Sequence, residues 1–196
     1  MGKMKRHILK QFKESANLIA KMAGDLVEPI TKAAEAISQA LQRGNKVLLF
    51  GNGGSAADSQ HIAAEFVNRF MIERPPLPAI ALTTDTSIIT SIGNDYGFAE
   101  VFVKQIKALG IRGDVAIALS TSGASQNVLK GVRAARKMDI FTIGLTSVSG
   151  QKLIDLVDLP LPVPSDYTPR IQEGHIVIGH ILCSLTDMML FEKFKR

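Results

Sequence analysis

The sequence predicts an α/β fold: a doubly wound parallel sheet of five strands flanked by helices, with a helical extension at the N-terminus. Three features point to it. Short runs of continuous apolar residues recur along the chain, as expected of strands covered on both faces. Segments with helical spacing separate these runs, as parallel crossovers require. Loops rich in glycine and hydroxyl residues follow the runs, where an open α/β sheet gathers its ligands.

Each element can be justified in turn. Residues 3–43 read as two helices. The first carries Ile8, Phe12, Ala16, Ile19 and Met22 on one stripe, with Gly24 as its stop. The second has Pro29 near its start, then Ile30, Ala33, Ala34, Ile37 and Leu41, and is closed by Gly44. Five strands follow: KVLLF (46–50), PAIAL (78–82), DVAIAL (114–119), FTIGLT (141–146) and the weaker DLVDLPLPV (155–163). Helices are expected at about 55–70, 86–93, 98–109 and 125–138, and a long final helix from Pro169 to Phe194. A chain of 196 residues suits one domain. Residues 1–44 would be a helical extension whose apolar faces cover the sheet or meet a second subunit, and residues 45–196 the α/β core.

The composition, 46% apolar and 21% charged, is that of a globular chain able to build a core. The basic N-terminus lacks an apolar h-region, so no signal peptide is expected, and no apolar run reads as a membrane span. The single Cys183 excludes an internal disulfide and reads as a small buried hydrophobe. The cytoplasm is the expected address. The net charge of +5 comes from the two ends (Lys3, Lys5, Arg6, Lys10 and Lys13; Lys193, Lys195 and Arg196). With no Trp and two Tyr, a basic groove with stacking aromatics is not written in the chain, so nucleic acid is not an expected partner.

The loops carry the first functional signals. Ser120-Thr121-Ser122-Gly123-Ala124-Ser125 follows the third strand and opens a helix. Hydroxyls and free N–H groups at a helix N-terminus make an anion site. Without a lysine this is no nucleoside-triphosphate loop. It suits a sugar monophosphate, and four hydroxyls exceed the one that a cap at Ser125 would use. The turn Gly51-Asn52-Gly53-Gly54-Ser55-Ala56 resembles a dinucleotide loop. The acid expected about 20 residues on is missing, since Asp85 comes too late, and a polyol fits better, with Asn52 and Ser55 offering hydrogen bonds. Asn94-Asp95-Tyr96-Gly97 reads equally as a turn between helices and as a pair of sugar-binding side chains.

Past the glycine turn stand His61 and Glu65, four apart and about 40° apart in helical projection, with Asp58 on the same side. A half-buried carboxylate among Ile62, Ala63, Ala64 and Phe66 needs a partner or a ligand, and burial suits it to act as a base near neutral pH. The final helix offers Gln172 and His180 on a shared side, about 80° apart. His175 projects elsewhere and reads as a core histidine. His61, Glu65, Gln172 and His180 are donors that zinc accepts, although their spacing matches no dense metal motif.

The stretches GNGGSAADSQHIAAEF, RPPLPAIALTTD, IGNDYGF, GDVAIALSTSGAS and RIQEGHIVIGH together resemble the sugar-isomerase (SIS) domain family, and within it the bacterial phosphoheptose isomerases, over nearly the whole chain. The resemblance implies interconversion of sedoheptulose 7-phosphate and glycero-manno-heptose 7-phosphate through an enediol, the first step toward the heptose of lipopolysaccharide. It implies Glu65 as the base between C1 and C2, and His180 as the partner acid/base. His61, Glu65, Gln172 and His180 match zinc positions. Ser120, Thr121, Ser122 and Ser125 match a phosphate cradle; Asn52, Gly53, Gly54 and Ser55, beside Asn94 and Asp95, match the sugar site. A homotetramer with sites between subunits is also implied. Ala56 departs from the familiar isomerases, which carry a bulkier residue there. A non-catalytic relative that binds the replication initiator protein shares the Ser55-Ala56-Ala57 start but lacks the acid at position 65; a module that only senses sugar phosphate is a third reading.

Overall fold

In the computed structural model, which describes residues 2–191, the helices α1 (Lys3–Asp25) and α2 (Val27–Gln42) come first, with Leu26 between them. The sheet contains β1 (Val47–Gly51), β2 (Ala79–Ala81), β3 (Val115–Leu119), β4 (Phe141–Ser147) and β5 (Leu159–Val163). All neighbours pair in parallel, in the order β2-β1-β3-β4-β5. The crossovers are α3 (Gly54–Val67), α4 (Thr86–Tyr96) with α5 (Val101–Leu109), α6 (Gln126–Arg136) and α7 (Gln151–Ile154); α8 (Thr168–Phe191) follows the last strand. The chain leaves β1 toward one side to form β2 and returns to the other side for β3. The carboxyl ends of β1 and β3 therefore face each other across a topological switch point, where such sheets bind ligands.

Alternate strand residues feed two cores. Val47, Leu49, Ile117, Leu119, Ile143 and Leu161 pack under α2, α3 and α8, whereas Leu48, Phe50, Ala116 and Ala118 pack under α5 and α6. Because both faces are covered, β1 and β3 are buried at every position, which is why they read as unbroken apolar runs.

The expected elements all form, with shifted limits. α1 continues through Gly24 to Asp25. α4 extends to Tyr96, so Asn94 and Asp95 lie in its last turn and not in a loop. The fifth strand begins only at Leu159: the preceding residues form α7 and a turn, and Asp158 is held by Thr142, whose backbone N–H and hydroxyl donate to its carboxylate at 2.9 and 2.7 Å. The end expected for the last helix, Phe194, lies outside the described residues, as do Lys193, Lys195 and Arg196.

The two N-terminal helices differ from each other. The stripe expected on α2 is buried throughout, from Ile30 to Leu41. That expected on α1 is only partly used within the chain: Met22 is buried beside Leu18, but Ile8, Phe12 and Ile19 are exposed, Phe12 at 71%. α8 corrects the expectation that no segment reads as a membrane span, since it is long and apolar enough to cross one. Its Ile171, Ile178 and Leu182 belong to the core beneath α2 and α3, which accounts for the apolar composition.

Candidate active site

The turn after β1 is built by glycine. Gly53 caps α3 with φ of +56°, a backbone region that side chains avoid, and a Cβ at Gly54 would overlap the carboxamide of Gln172 from α8. Gln172 is therefore docked against the turn. Ser55 is buried against Gly51 at the end of β1. Ala56 opens onto a cavity of about 130 Å³ that is also lined by Thr83, Ile89, Phe98 and Phe102.

Asn52 is more occupied than its expected role requires. Its carboxamide donates to Asn127 Oδ1 at 2.9 Å and accepts from Asn127 Nδ2 at 2.8 Å. Asn127 is 4% exposed and sits at the start of α6. The reciprocal pair ties the loop after β1 to the helix after β3. Sequence reading missed Asn127, because an Asn inside a helical run carries no sign of a partner 75 residues away.

The loop after β3 presents the expected hydroxyls. Ser125 is the N-cap residue of α6, yet its side chain makes no capping hydrogen bond. Its Oγ instead accepts from Ser120 Oγ at 3.3 Å. Ser122 Oγ accepts from the N–H of Ala124 at 3.3 Å, and Thr121 is half-buried beside it. Ser120 and Ser125 thus face each other inside the loop, and Ser125 gives the first N–H groups of α6 no side-chain cap; that of Val128 donates to Asn127 Oδ1 at 3.0 Å. That is the chemistry of an anion cradle.

The acid and the imidazoles meet further along α3. His61 Nε2 lies 2.9 Å from His180 Nε2 and 3.5 Å from Glu65 Oε1, and one donor atom from each of the three side chains falls within 4.8 Å of the others. Two features bring α8 this close to α3. A Cβ at Gly179 would stand 2.5 Å from Ile62 Cδ1, so glycine beside His180 lets the helices approach. The His180 ring stacks on Phe70, with centroids 5.5 Å apart, which fixes its plane. Phe70 was also missed; its only signal was an aromatic residue just past the end of a helix. Asp58, one turn before His61, has its carboxyl pKa raised by burial, with the His61 charge opposing, and its Oδ2 has no partner among the described residues.

Beyond Glu65, α3 is pinned by a buried ion pair. Arg74 Nε donates to Asp187 Oδ1 on α8 at 2.8 Å, and its other nitrogens donate to the carbonyls of Phe66 at 2.7 Å and Glu65 at 2.9 Å. His175 is the core residue expected: fully buried, with Nε2 3.3 Å from the Thr146 carbonyl and burial pulling its pKa down to about 4.

Within one chain the expected site residues thus form three groups: Asn52 to Ser55 with Gln172, the hydroxyl loop from Ser120 to Ser125, and His61 with Glu65 and His180. Gln172 sits eight residues before His180 on α8, about 12 Å along the helix. Asn94 and Asp95 are exposed and bond each other, Nδ2 to Oδ1 at 2.8 Å.

Residues 11–147 match the SIS domain family. The phosphoheptose isomerase of Thermodesulfovibrio yellowstonii is 52% identical over 185 residues, 94% of this chain and 92% of that protein. That of Solidesulfovibrio magneticus is 54% identical over 187 residues, 95% and 91% of the two chains. The chain belongs to the phosphoheptose isomerase family of SIS domains. Solved structures agree. The phosphoheptose isomerase from Francisella tularensis superposes with a TM-score of 0.91 at 41% identity, covering 96% of this chain and all of the other. The enzyme from Neisseria gonorrhoeae superposes with a TM-score of 0.89 at 45% identity, covering 94% and 98%. Family membership confirms the expected fold, a five-stranded parallel sheet with helices on both faces and a helical N-terminus.

Proposed function

We propose that this chain is an aldose–ketose isomerase that converts D-sedoheptulose 7-phosphate to D-glycero-D-manno-heptose 7-phosphate, supplying heptose for lipopolysaccharide. The observation that carries the reading is the meeting of Glu65 with two imidazoles in a chain about half identical, end to end, to phosphoheptose isomerases. The carboxylate present at position 65 disfavours the initiator-binding alternative, whose relative lacks that acid.

The chemistry follows from the groups. Glu65 takes the proton from C1 of the ketose and returns it to C2, on one face of a planar enediol. His180 gives a proton to O2 and accepts one from O1, so each carbonyl and hydroxyl exchanges place without net charge. Ser120, Thr121, Ser122 and Ser125, with the N-terminus of α6, hold the phosphate, and that remote binding positions the reacting carbons. Asn52 to Ser55, Asn94, Asp95 and Gln172 meet the sugar hydroxyls. Two imidazole nitrogens and a carboxylate oxygen converging within 4.8 Å suit zinc, so His61, Glu65 and His180 would hold it; Gln172, the fourth expected ligand, stands at the glycine turn of its own chain and would join them only from a neighbouring protomer. Zinc bound there would polarise the substrate carbonyl and so take over the part given to His180, because an imidazole nitrogen on the metal has no proton to give.

The whole chain acts as one SIS domain in a homotetramer. The exposed Ile8, Phe12 and Ile19 of α1 support this, as does an apolar groove lined by Ile19, Val27, Ile30, Val177, Ile181 and Leu185. The substrate is a small phosphorylated sugar, and neither a membrane nor a nucleic acid is a partner; the cytoplasm is the place of action. Incubation with sedoheptulose 7-phosphate, with and without a chelator, tests the assignment: an aldose phosphate is expected, in smaller yield after chelation. Tight binding of the ketose with no aldose formed, zinc added, would replace the isomerase with a sensing module.

A further inference from the structure

The reciprocal amide pair between Asn52 and Asn127 has a function the reaction scheme does not use. We propose that Asn127 is a positioning residue that holds the sugar-binding turn at a fixed distance from the phosphate cradle, acting on substrate only through Asn52. The inference rests on the site assignment above, with phosphate at Ser120–Ser125 and sugar at Asn52–Ser55.

The geometry carries it. β1 and β3 are neighbours, and the turn and the cradle leave their carboxyl ends on either side of the switch point. The turn's own backbone bonds, from the N–H of Ser55 to the Asn52 carbonyl and from that of Ala56 to the Gly53 carbonyl, both at 3.0 Å, set its local shape but do not tie it to the loop after β3. Asn127 supplies the missing constraint. Its Oδ1 accepts from Asn52 Nδ2 at 2.9 Å and from the N–H of Val128 at 3.0 Å, and its Nδ2 donates to Asn52 Oδ1 at 2.8 Å. The bond to Val128 fixes the amide's orientation, so the Asn52 amide must present its complement. At 4% exposure Asn127 has no substrate-facing surface of its own, whereas Asn52 is half-buried at the cleft. A polar pair placed here in a low-dielectric interior holds one arrangement, because any other leaves buried amide groups unpaired.

The test separates the two ends of the ligand. Calorimetry compares inorganic phosphate with sedoheptulose 7-phosphate on the wild-type protein, Asn127→Ala, Asn52→Ala and the double variant. Asn127→Ala is expected to bind inorganic phosphate within about twofold of wild type but to bind sedoheptulose 7-phosphate about tenfold more weakly, the effect of one mispositioned set of hydrogen bonds. Turnover per folded subunit should fall further than affinity, since a misplacement of about 1 Å is expensive in rate. The double variant should match Asn52→Ala alone, because Asn127 has no second route to the substrate. Asn127→Asp keeps the acceptor for Asn52 and Val128 and loses one donor, so it should fall between wild type and Asn127→Ala. Equal loss of both ligands, or additive losses in the double variant, would overturn the proposal. A wild-type protein that binds both ligands but forms no aldose would remove the isomerase reading and leave the affinity comparison to judge the lock; one that binds neither would remove both.

Discussion

Arg74→Met would test how α3 and α8 are held together. The Arg74 and Asp187 side chains are 1% and 4% exposed, so neither charge has water to fall back on. Removing the guanidinium leaves a buried carboxylate whose Oδ2 already has no partner among the described residues. It also strips a donor from the Glu65 carbonyl, in the last turn of α3, and one from that of Phe66, which keeps the Leu77 N–H at 3.1 Å. Breaking a buried pair on one side destabilises by about 3–5 kcal/mol. At about 2–4 °C per kcal/mol for a chain of this size, the melting temperature should fall by roughly 10 °C. Asp187→Leu should be milder, because the guanidinium keeps its carbonyl acceptors. Combining the two removes the stranded charge, so the double variant should lose at least about 2 kcal/mol less than the sum of the singles. Urea and thermal unfolding at one fixed protomer concentration measure all three, since assembly would otherwise shift the midpoints. A loss below about 1 kcal/mol for Arg74→Met, or strictly additive losses, would refute the reasoning.

Other consequences follow from the site and the core. Glu65→Gln should retain sedoheptulose 7-phosphate affinity but lose turnover by about 100-fold or more, as loss of a general base requires; near-normal turnover in a steady-state assay would exclude Glu65 as the base. Ser122→Ala combined with Ser125→Ala should act mainly through KM, by about tenfold, as expected for lost phosphate hydrogen bonds, and an unchanged KM would place the phosphate elsewhere. His175 binds its proton more weakly folded, with a pKa of about 4, than unfolded, so its contribution is intact above about pH 6.5 and is lost as the pH falls toward 4. The loss amounts to about 3 kcal/mol, and His175→Met should flatten that part of the stability profile measured by denaturant titration.

What the sequence made legible, and what it hid, divides along one physical line. Patterns that repeat locally were readable. The apolar runs of β1 and β3 announced a sheet covered on both faces, and the His61–Glu65 spacing placed both groups on one side of α3. Properties that depend on a distant partner were not. Asn52 looked free for a sugar because Asn127 is 75 residues away. Arg74 carried no sign of its buried partner, because Asp187 is 113 residues away. Ser125 stood in a loop with more hydroxyls than a helix cap would use, but that its Oγ accepts from Ser120 and caps nothing could not be read from the sequence. α1 showed a clean apolar stripe, but periodicity reports that a face needs covering without reporting what covers it.

That last point bears on how the site is completed. Glu65 stands eleven residues after Gly54 on α3, which puts the acid–imidazole cluster about 16 Å along the helix from the glycine turn. The carboxylate leans back toward the turn, as helical side chains do, but by less than that distance. A ketose phosphate held at the hydroxyl loop with its other hydroxyls at the turn would have to reach along that length of helix to lay its C1 and C2 against Glu65 of the same protomer. That separation and the uncovered face of α1 would both be met by the homotetramer proposed above, with a neighbouring protomer bringing its own Glu65 and His180 over the cleft. In that arrangement a mixture of Glu65→Gln and Ser122→Ala/Ser125→Ala subunits would regain activity that neither parent has, because some clefts would pair an intact cradle with an intact base. Mixed tetramers with no more activity than the sum of their parents would place both halves of the site in a single chain.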